Sequence, residues 1–325
     1  MKIAIIGAGL IGKKRALSLP KEVVLKTVCD VNESSAKSFA KGFNCFPTTN
    51  LKNVLGDKEI EALIIATPNG FLAELARKAI ICGKHVLIEK PGATNKKELE
   101  TIWKEHKKNP VVVMFGYNHR FHPSIQKAKE IADSKKFGEI LFIRAKYGHG
   151  GRLEYEKEWR FNQELSGGGE LIDQGSHLID LTNFFIGPMP NIKSFACTLF
   201  WETPLEDAAF VLLANNKRQL ASLSASCVEW KNIFTFEIML EKAKIQIDGL
   251  GGSYGTEKLT SFKMRPEMGP PDVEEISFPG PDLSWERENE VFFTKIKGKY
   301  LSEEPFKQAF YVLDIIGKVY KENKK

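Results

Sequence analysis

A chain of 325 residues is long for one compact core and comfortable for two domains, and no apolar run in it approaches the length needed to span a membrane. Its composition, 42% hydrophobic and 27% charged, is that of a globular protein, and its five cysteines (Cys29, Cys45, Cys82, Cys197, Cys227) are odd in number, scattered and never in CxxC spacing, which excludes a disulfide framework and a zinc ribbon. The net charge of +6 sits largely in short lysine runs (Lys96-Lys97, Lys107-Lys108, Lys135-Lys136, and the tail Lys321 to Lys325) that read as solvated faces, and nothing in them suggests a module for RNA or DNA.

The N-terminal stretch MKIAIIGAGLIG lacks a small-residue cleavage site and runs straight into a glycine fingerprint, so it reads as a first strand rather than a signal peptide and predicts a cytoplasmic protein. Lys2 to Ile6 is β-rich and ends in Gly7-Ala-Gly9-Leu10-Ile11-Gly12, after which Lys13 to Leu19 reads as helix. Strand, G-x-G-x-x-G, helix is the context of a dinucleotide site. Gly7 makes the tight turn, Gly9 lets backbone approach a pyrophosphate, and Gly12 lets helix and strand pack closely. Leu10 and Ile11, inside the fingerprint, count with the cofactor site, because the helix start offers unpaired N–H groups to phosphate.

Val23 to Cys29 is a second strand, and Asp30 stands at its end, where a carboxylate binds the adenosine ribose and repels the extra phosphate of NADP. Lys13, Lys14 and Arg15 argue the other way, and the balance predicts NAD over NADP. The alternation continues with strand Ala62 to Thr67, helix Phe71 to Cys82, strand His85 to Glu89, helix Lys96 to His106 and strand Val111 to Gly116. That pattern predicts a doubly wound parallel sheet. Ligands bind beyond the carboxyl ends of such strands, which places Thr67, Pro68, Asn69, Glu89 and Lys90 on the ligand side.

Farther along, SGGGELIDQGSH (Ser166 to His177) puts three glycines before an aspartate and a histidine four residues apart. A helix from Gly169 to about Phe185 would stack Asp173 and His177 on one face. The pair offers only two metal ligands and no third at fixed spacing, so no metal is expected. A serine nucleophile fails too, for want of a G-x-S-x-G elbow.

The fingerprint with Asp30, the segment Glu89-Lys90-Pro91, and Gly167-Gly168-Gly169 followed by Asp173-x-Gly175-x-His177 together resemble the glucose–fructose oxidoreductase/inositol dehydrogenase/rhizopine catabolism (Gfo/Idh/MocA) family. The resemblance covers essentially the whole chain. It implies an α/β fold with an N-terminal Rossmann domain (1–118) and a C-terminal α/β domain (119–325) whose large, mostly antiparallel open sheet commonly forms the interface of a homodimer or homotetramer. The strand-like segments Gly138 to Tyr147, Ile192 to Trp201, Asp207 to Ala214, Gln219 to Cys227, Thr235 to Glu241 and Lys244 to Asp248 supply that sheet, and a last helix from Pro305 to Tyr320 carries an apolar stripe.

The resemblance implies an NAD-dependent oxidoreductase acting on a small sugar-like substrate, with Lys90, Asp173 and His177 handling the proton and holding the sugar. An imidazole accepts a proton near neutral pH, and an ammonium stabilises a developing alkoxide. The three glycines are expected to let backbone approach the ligand. Asn118 and Arg120, in the segment after the Rossmann domain, and Arg152, Trp159 and Arg160, in GGRLEYEKEWRFNQELSGGG, are the expected substrate contacts, since arginine suits phosphate or carboxylate and aromatic faces suit sugar rings. Relatives that break glycosidic bonds with tightly held NAD, or a nonenzymatic NAD-binding regulator, are the alternatives.

Overall fold

The computed structural model describes residues 1–267 and 269–323, and in it the chain separates into two compact units. The first comprises Met1–Tyr117 and Trp285–Phe310, the second Asn118–Ser284 and the chain from Tyr311 onward.

The first unit runs β1 (Lys2–Ile6), α1 (Leu10–Leu17), β2 (Val24–Cys29), α2 (Glu33–Phe43), β3 (Phe46–Thr48), α3 (Leu51–Leu55), β4 (Ile60–Ile65), α4 (Asn69–Ile81), β5 (His85–Glu89), α5 (Lys96–Lys108) and β6 (Val113–Gly116). Its six strands lie in the order β3-β2-β1-β4-β5-β6, and every pairing is parallel. Helices on both faces demand strands apolar throughout, and Ile3, Ala4 and Ile5 of β1 and Leu63, Ile64 and Ile65 of β4 are all fully buried. Asn32, Asn50 and Asn95 cap α2, α3 and α5 by accepting a backbone N–H through their side chains. The α2–β3–α3 stretch escapes the strand–helix reading because β3 is a three-residue edge strand holding Pro47, which only an edge tolerates.

The second unit opens with a 3₁₀ turn (Asn118–Phe121), α6 (Pro123–Asp133), β7 (Ile140–Gly148), the short α7 (Gln163–Ser166), a π-helical turn (Leu171–Gly175) and α8 (Ser176–Ile186). There follow β8 (Asn191–Cys197), β9 (Ala208–Ala214), β10 (Leu220–Ser226), β11 (Ile233–Leu240), β12 (Ala243–Asp248), β13 (Glu257–Lys263) and β14 (Asp272–Phe278). The eight strands take the order β14-β13-β12-β11-β7-β10-β9-β8, and only the β7–β10 pairing is parallel. The sheet is therefore large, open and mostly antiparallel. It exceeds the six strands legible in sequence by β13 and the edge strand β14, whose charged side chains pair across the two strands as Lys258–Glu275 and Lys263–Glu274 at 3.0 and 2.8 Å. One face is covered by the π turn and α8, whose Leu171, Leu178 and Ile179 face Ala209, Val211, Leu223 and Ala225.

Two helices complete the chain, α9 (Ser284–Lys297) and α10 (Glu304–Glu322). The stripe Ala309, Val312, Leu313, Ile316, Val319 of α10 is buried throughout. A single boundary near residue 118 assigns all of 119–325 to one domain, whereas Trp285–Phe310 clusters with the first unit. The physical reason is a buried charge cluster. Arg15, fully buried, gives its Nε to Glu89 at 2.6 Å, its Nη2 to Glu288 at 2.6 Å and its Nη1 to Asn289 at 3.1 Å, beneath the Trp285 ring at 4.6 Å. Lys107 pairs with Glu303 in the same unit. No helix among the described residues is long and apolar enough to cross a membrane. Of the lysine runs, Lys96-Lys97, Lys107-Lys108 and Lys135-Lys136 are exposed, while Lys324 and Lys325 lie outside the described residues.

Candidate active site

Each unit holds its own share of the residues singled out by sequence. In the first, the parallel sheet brings the carboxyl ends of β1, β2, β4 and β5 to one edge, which carries Gly7 to Gly12, Asp30, Thr67 to Asn69 and Lys90. The glycines divide by task. Gly7 has φ +103°, and a Cβ there would meet the Ala66 carbonyl oxygen at 2.4 Å; one on Gly12 would meet the Gly7 carbonyl oxygen at 2.0 Å. Gly9 is different, since its Cβ position opens onto nothing within 4 Å, and it sits at the N-terminus of α1 with no side chain capping the helix. That is bare, donor-rich backbone with room in front of it, as a pyrophosphate requires. Leu10 is exposed and Ile11 half-buried beside it.

Asp30 accepts the Ala8 N–H on Oδ2 at 2.7 Å and the Asn32 N–H on Oδ1 at 2.8 Å, so it ties the end of β2 to the glycine loop. Each oxygen keeps a second acceptor position, which fits a ribose diol. Thr67 is half-buried, Pro68 caps α4 and Asn69 is buried at that helix's first residue. Lys90 follows β5 and joins Pro91 through a cis peptide bond. Glu89 is engaged elsewhere, for its carboxylate is inside the Arg15 cluster. The same cluster removes Arg15 from the argument for NADP. Burial lowers its pKa, but the charges of Glu89 and Glu288 outweigh that and hold it firmly protonated. Lys13 and Lys14 remain exposed.

In the second unit the glycine run is packed against the protein itself. A Cβ on Gly168 would fall 1.9 Å from the Tyr320 hydroxyl, and one on Gly169 would fall 1.9 Å from the Glu206 carbonyl oxygen. Gly167 has φ +83° and ends α7. The bare backbone expected to approach a ligand is needed instead by the unit's own fold. Glu206 accepts the N–H groups of Gly169 and Leu171 at 3.1 Å and the Tyr320 hydroxyl at 2.7 Å, so a carboxylate satisfies the orphan donors where the helical segment begins.

The segment does not start as an α-helix. Leu171–Gly175 forms one π turn before α8, a feature frequent at functional sites. Gly175 permits it, since a Cβ there would meet Leu171 Cδ1 at 2.9 Å. Asp173 thus lies in the π turn, half-buried, and His177 in the first turn of α8, only 5% exposed. Arg160 donates its Nε to Asp173 Oδ2 at 2.9 Å and its Nη1 to Glu158 at 3.1 Å, and lies over the Trp159 ring at 4.9 Å. Its pKa is raised, since the charge of Asp173 outweighs burial. Arg152 pairs with the other oxygen of Glu158 at 2.5 Å. The loop expected to meet the substrate therefore folds its arginines onto carboxylates, one of which is Asp173.

Other expected contacts are held by the scaffold. Arg120 clasps Asp180 through Nε and Nη2 at 2.6 and 2.5 Å. Asn118 donates to Ser284 Oγ at 2.8 Å, and His122 pairs with Glu257 at 2.9 Å. Among the described residues no group of three His, Cys, Asp or Glu side chains is placed to hold a metal.

Two neighbours of the pair escaped the sequence reading. Glu170, buried beside Asp173 in the chain, accepts from the Tyr155 hydroxyl at 3.1 Å, and Tyr155 in turn lies 3.2 Å from His149 Nε2. Burial, then the charge of Asp173, pushes its carboxyl up to about 8. A glutamate directly after the glycines was the only signal for it. His119 lies flat on His177, with ring centroids 3.7 Å apart and planes inclined by 16°.

Two family models match the chain. The NAD-binding Rossmann fold of an oxidoreductase family covers residues 1–117, and the GFO/IDH/MocA C-terminal domain covers 125–246. A levoglucosan dehydrogenase of Pseudarthrobacter phenanthrenivorans is 28% identical over 219 residues, 63% of this chain and 56% of that protein. A glucose-6-phosphate 3-dehydrogenase of Bacillus subtilis is 33% identical over 184 residues, 55% of this chain and 52% of that one. The chain thus spans about half the length of these two relatives. A solved levoglucosan dehydrogenase in complex with NADH superposes with a TM-score of 0.87 at 22% identity, over 99% of this chain and 98% of that one, and so has the same fold. With both family domains matched, in order, along one chain, the chain belongs to the Gfo/Idh/MocA family.

Proposed function

We propose that the protein is an NAD-dependent oxidoreductase that oxidises a hydroxyl of a sugar-like substrate, with Lys90, Asp173 and His177 as its catalytic residues. The observation that carries this reading is the π turn that places Asp173, oriented by Arg160, one turn ahead of a buried His177, in a family chain whose first unit opens Gly9 and Asp30 as a nucleotide cradle. Nicotinamide, when bound, supplies the acceptor for the hydride lost by the carbinol carbon. The chain's own residues handle the rest. As the carbonyl forms, the hydroxyl O–H bond breaks and its proton passes to an imidazole nitrogen of His177. Lys90 stabilises the negative charge that develops on that oxygen, and Asp173 accepts hydrogen bonds from the sugar.

The substrate we favour is an uncharged sugar or sugar derivative. Arg120, Arg152 and Arg160 all face carboxylates of this chain, so a phosphate would have to compete with Asp180, Glu158 and Asp173 for them. NAD is favoured over NADP because Asp30 stands at the end of β2, bonded to the glycine loop, where a carboxylate would meet a ribose diol, and because Arg15 is buried with Glu89 and Glu288. The test is NADH formation, followed by near-ultraviolet absorbance, with sugars, inositols, sugar phosphates and nucleotide sugars, run with NAD and NADP for the parent protein and for Asp30→Ala. Turnover with an uncharged sugar and NAD, and a relaxed cofactor ratio in the variant, are expected. Silence across the panel while NAD is bound would defeat the dehydrogenase reading.

We also propose a homodimer or homotetramer formed through the uncovered face of the eight-stranded sheet, where Phe195, Phe210, Leu212 and Leu220 are exposed. Light scattering is expected to give at least twice the chain mass of 36.6 kDa. A monomer at micromolar concentration would rule this out.

A further inference from the structure

The buried surroundings of His177 contain a second imidazole whose role the proposed chemistry does not use. His119, from the 3₁₀ turn after residue 117, is 6% exposed and covers one face of the His177 ring at 3.7 Å, nearly parallel to it. Tyr147 of β7 stands edge-on to both rings, at 5.1 Å from His119 and 6.1 Å from His177, and Phe234 of β11 stands edge-on to His119 at 5.9 Å. His119 is thus fixed by walls from two strands and a helix.

We infer that His119 is a positioning residue for His177, stacked so that the pair carries at most one positive charge and His177 stays neutral, ready to accept the proton of the substrate hydroxyl. The inference rests on the proposed role of His177 as proton acceptor. Flat stacking leaves both nitrogens of each ring at the ring edge, so His119 orients His177 without occupying the atom that does chemistry. It also places two groups of the same charge type at van der Waals distance in a site largely shut off from water, where repulsion between two imidazolium ions is strong. Protonation of one ring therefore disfavours protonation of the other, and the two titrate as a unit.

Charged and titratable groups packed around the pair have partners of their own, among them Glu170, just before the π turn, which accepts from the Tyr155 hydroxyl. Asp173, in the π turn, holds Arg160; Asp180, seven residues later in α8, holds Arg120; and Glu257 of β13 holds His122, whose ring lies 5.7 Å from His119. Tyr147 is raised well above the ordinary phenol range by burial and by its neighbour Tyr254, so it stays neutral. Gln174 reaches the Tyr254 hydroxyl at 3.5 Å. None of these replaces His119 as the like-charged partner facing the His177 ring.

The test is a proton titration by NMR of the full-length protein with isotope-labelled histidine, His177 being assigned by loss of its signal in His177→Gln. In the parent protein the His177 resonance is expected to move in two steps, one of them coinciding with the titration of His119. In His119→Phe, which keeps a flat ring without a second charge, His177 is expected to titrate in one step, with its midpoint raised by about one pH unit or more. The acid limb of kcat/KM should shift upward with it, because a His177 that holds its proton to higher pH cannot accept another. A purely structural role would lower activity equally at every pH and leave the midpoint unmoved.

A single uncoupled titration of His177 in the parent protein overturns the inference even if His119→Phe does not fold. The same midpoint in a folded His119→Phe overturns it as well. Neither result touches the dehydrogenase reading, which fails separately if His177→Gln retains full turnover.

Discussion

Lys90→Ala is expected to lower kcat by a factor of about 10² to 10³ while leaving NAD affinity within a few fold of the parent. The size of the loss is that of removing one preorganised charge from the point where negative charge develops in the transition state. The nucleotide should still bind, because the cradle proposed for it consists of Gly7 to Gly12 and Asp30, which Asp30 ties together through the Ala8 N–H. Lys90→Arg should recover only part of the rate, since a planar guanidinium on a different stem does not reproduce a compact ammonium. Stopped-flow or steady-state rates beside calorimetric NAD binding decide the matter, and an alanine variant as fast as the parent would sink the assignment. A variant that lost NAD binding and rate together would instead show that Lys90 serves the cradle.

The second large effect concerns stability. Arg15→Met should destabilise the first unit by about 3–5 kcal/mol, because it leaves the carboxylates of Glu89 and Glu288 buried without their cation. That corresponds to a fall in melting temperature of about 10 °C for a unit of this size. Adding Glu288→Gln to the same chain should regain part of the loss by removing one uncompensated charge. An Arg15→Met protein as stable as the parent would mean that the cluster is not held as drawn.

Arg15 also illustrates why some residues read correctly as to place and wrongly as to purpose. In sequence it is one of three basic residues following the glycine fingerprint, where a 2′-phosphate is often met. In the structure it turns inward to meet Glu89, 74 residues later, and Glu288 and Asn289, some 270 residues later. Glu89, placed at a strand end with the ligand residues, is drawn into the same cluster. No local pattern announces partners so distant. The grouping of Trp285–Phe310 with the first unit is hidden from the sequence for the same reason, since it follows from contacts made by Trp285, Glu288 and Asn289 rather than from any periodicity of its own.

Local signals fared well wherever the physics was local. The parallel sheet was legible because buried strands must be apolar throughout, as Ile3 to Ile6 and Leu63 to Ile65 are. Gly7, Gly9 and Gly12 were legible because turn, approach and packing each require a missing Cβ at a set spacing. The strands β13 and β14 were not, for their charged and polar residues, exposed along β14, resemble loop until a neighbour supplies the hydrogen-bond ladder.

By itself, then, the amino-acid order determined the two-part α/β architecture, the nucleotide fingerprint with Asp30, and the candidacy of Lys90, Asp173 and His177, because those features depend on residue type and on spacings of a few residues. Only the tertiary structure decided that Gly168 and Gly169 yield space to Tyr320 and Glu206, that a π turn carries Asp173, that Arg160 and Arg120 are spent on Asp173 and Asp180, and that His119 lies on His177. Apart from the π turn, those facts are meetings between residues from 13 to 152 positions apart, and the chain's fold, not its local pattern, sets which side chains arrive at the same place.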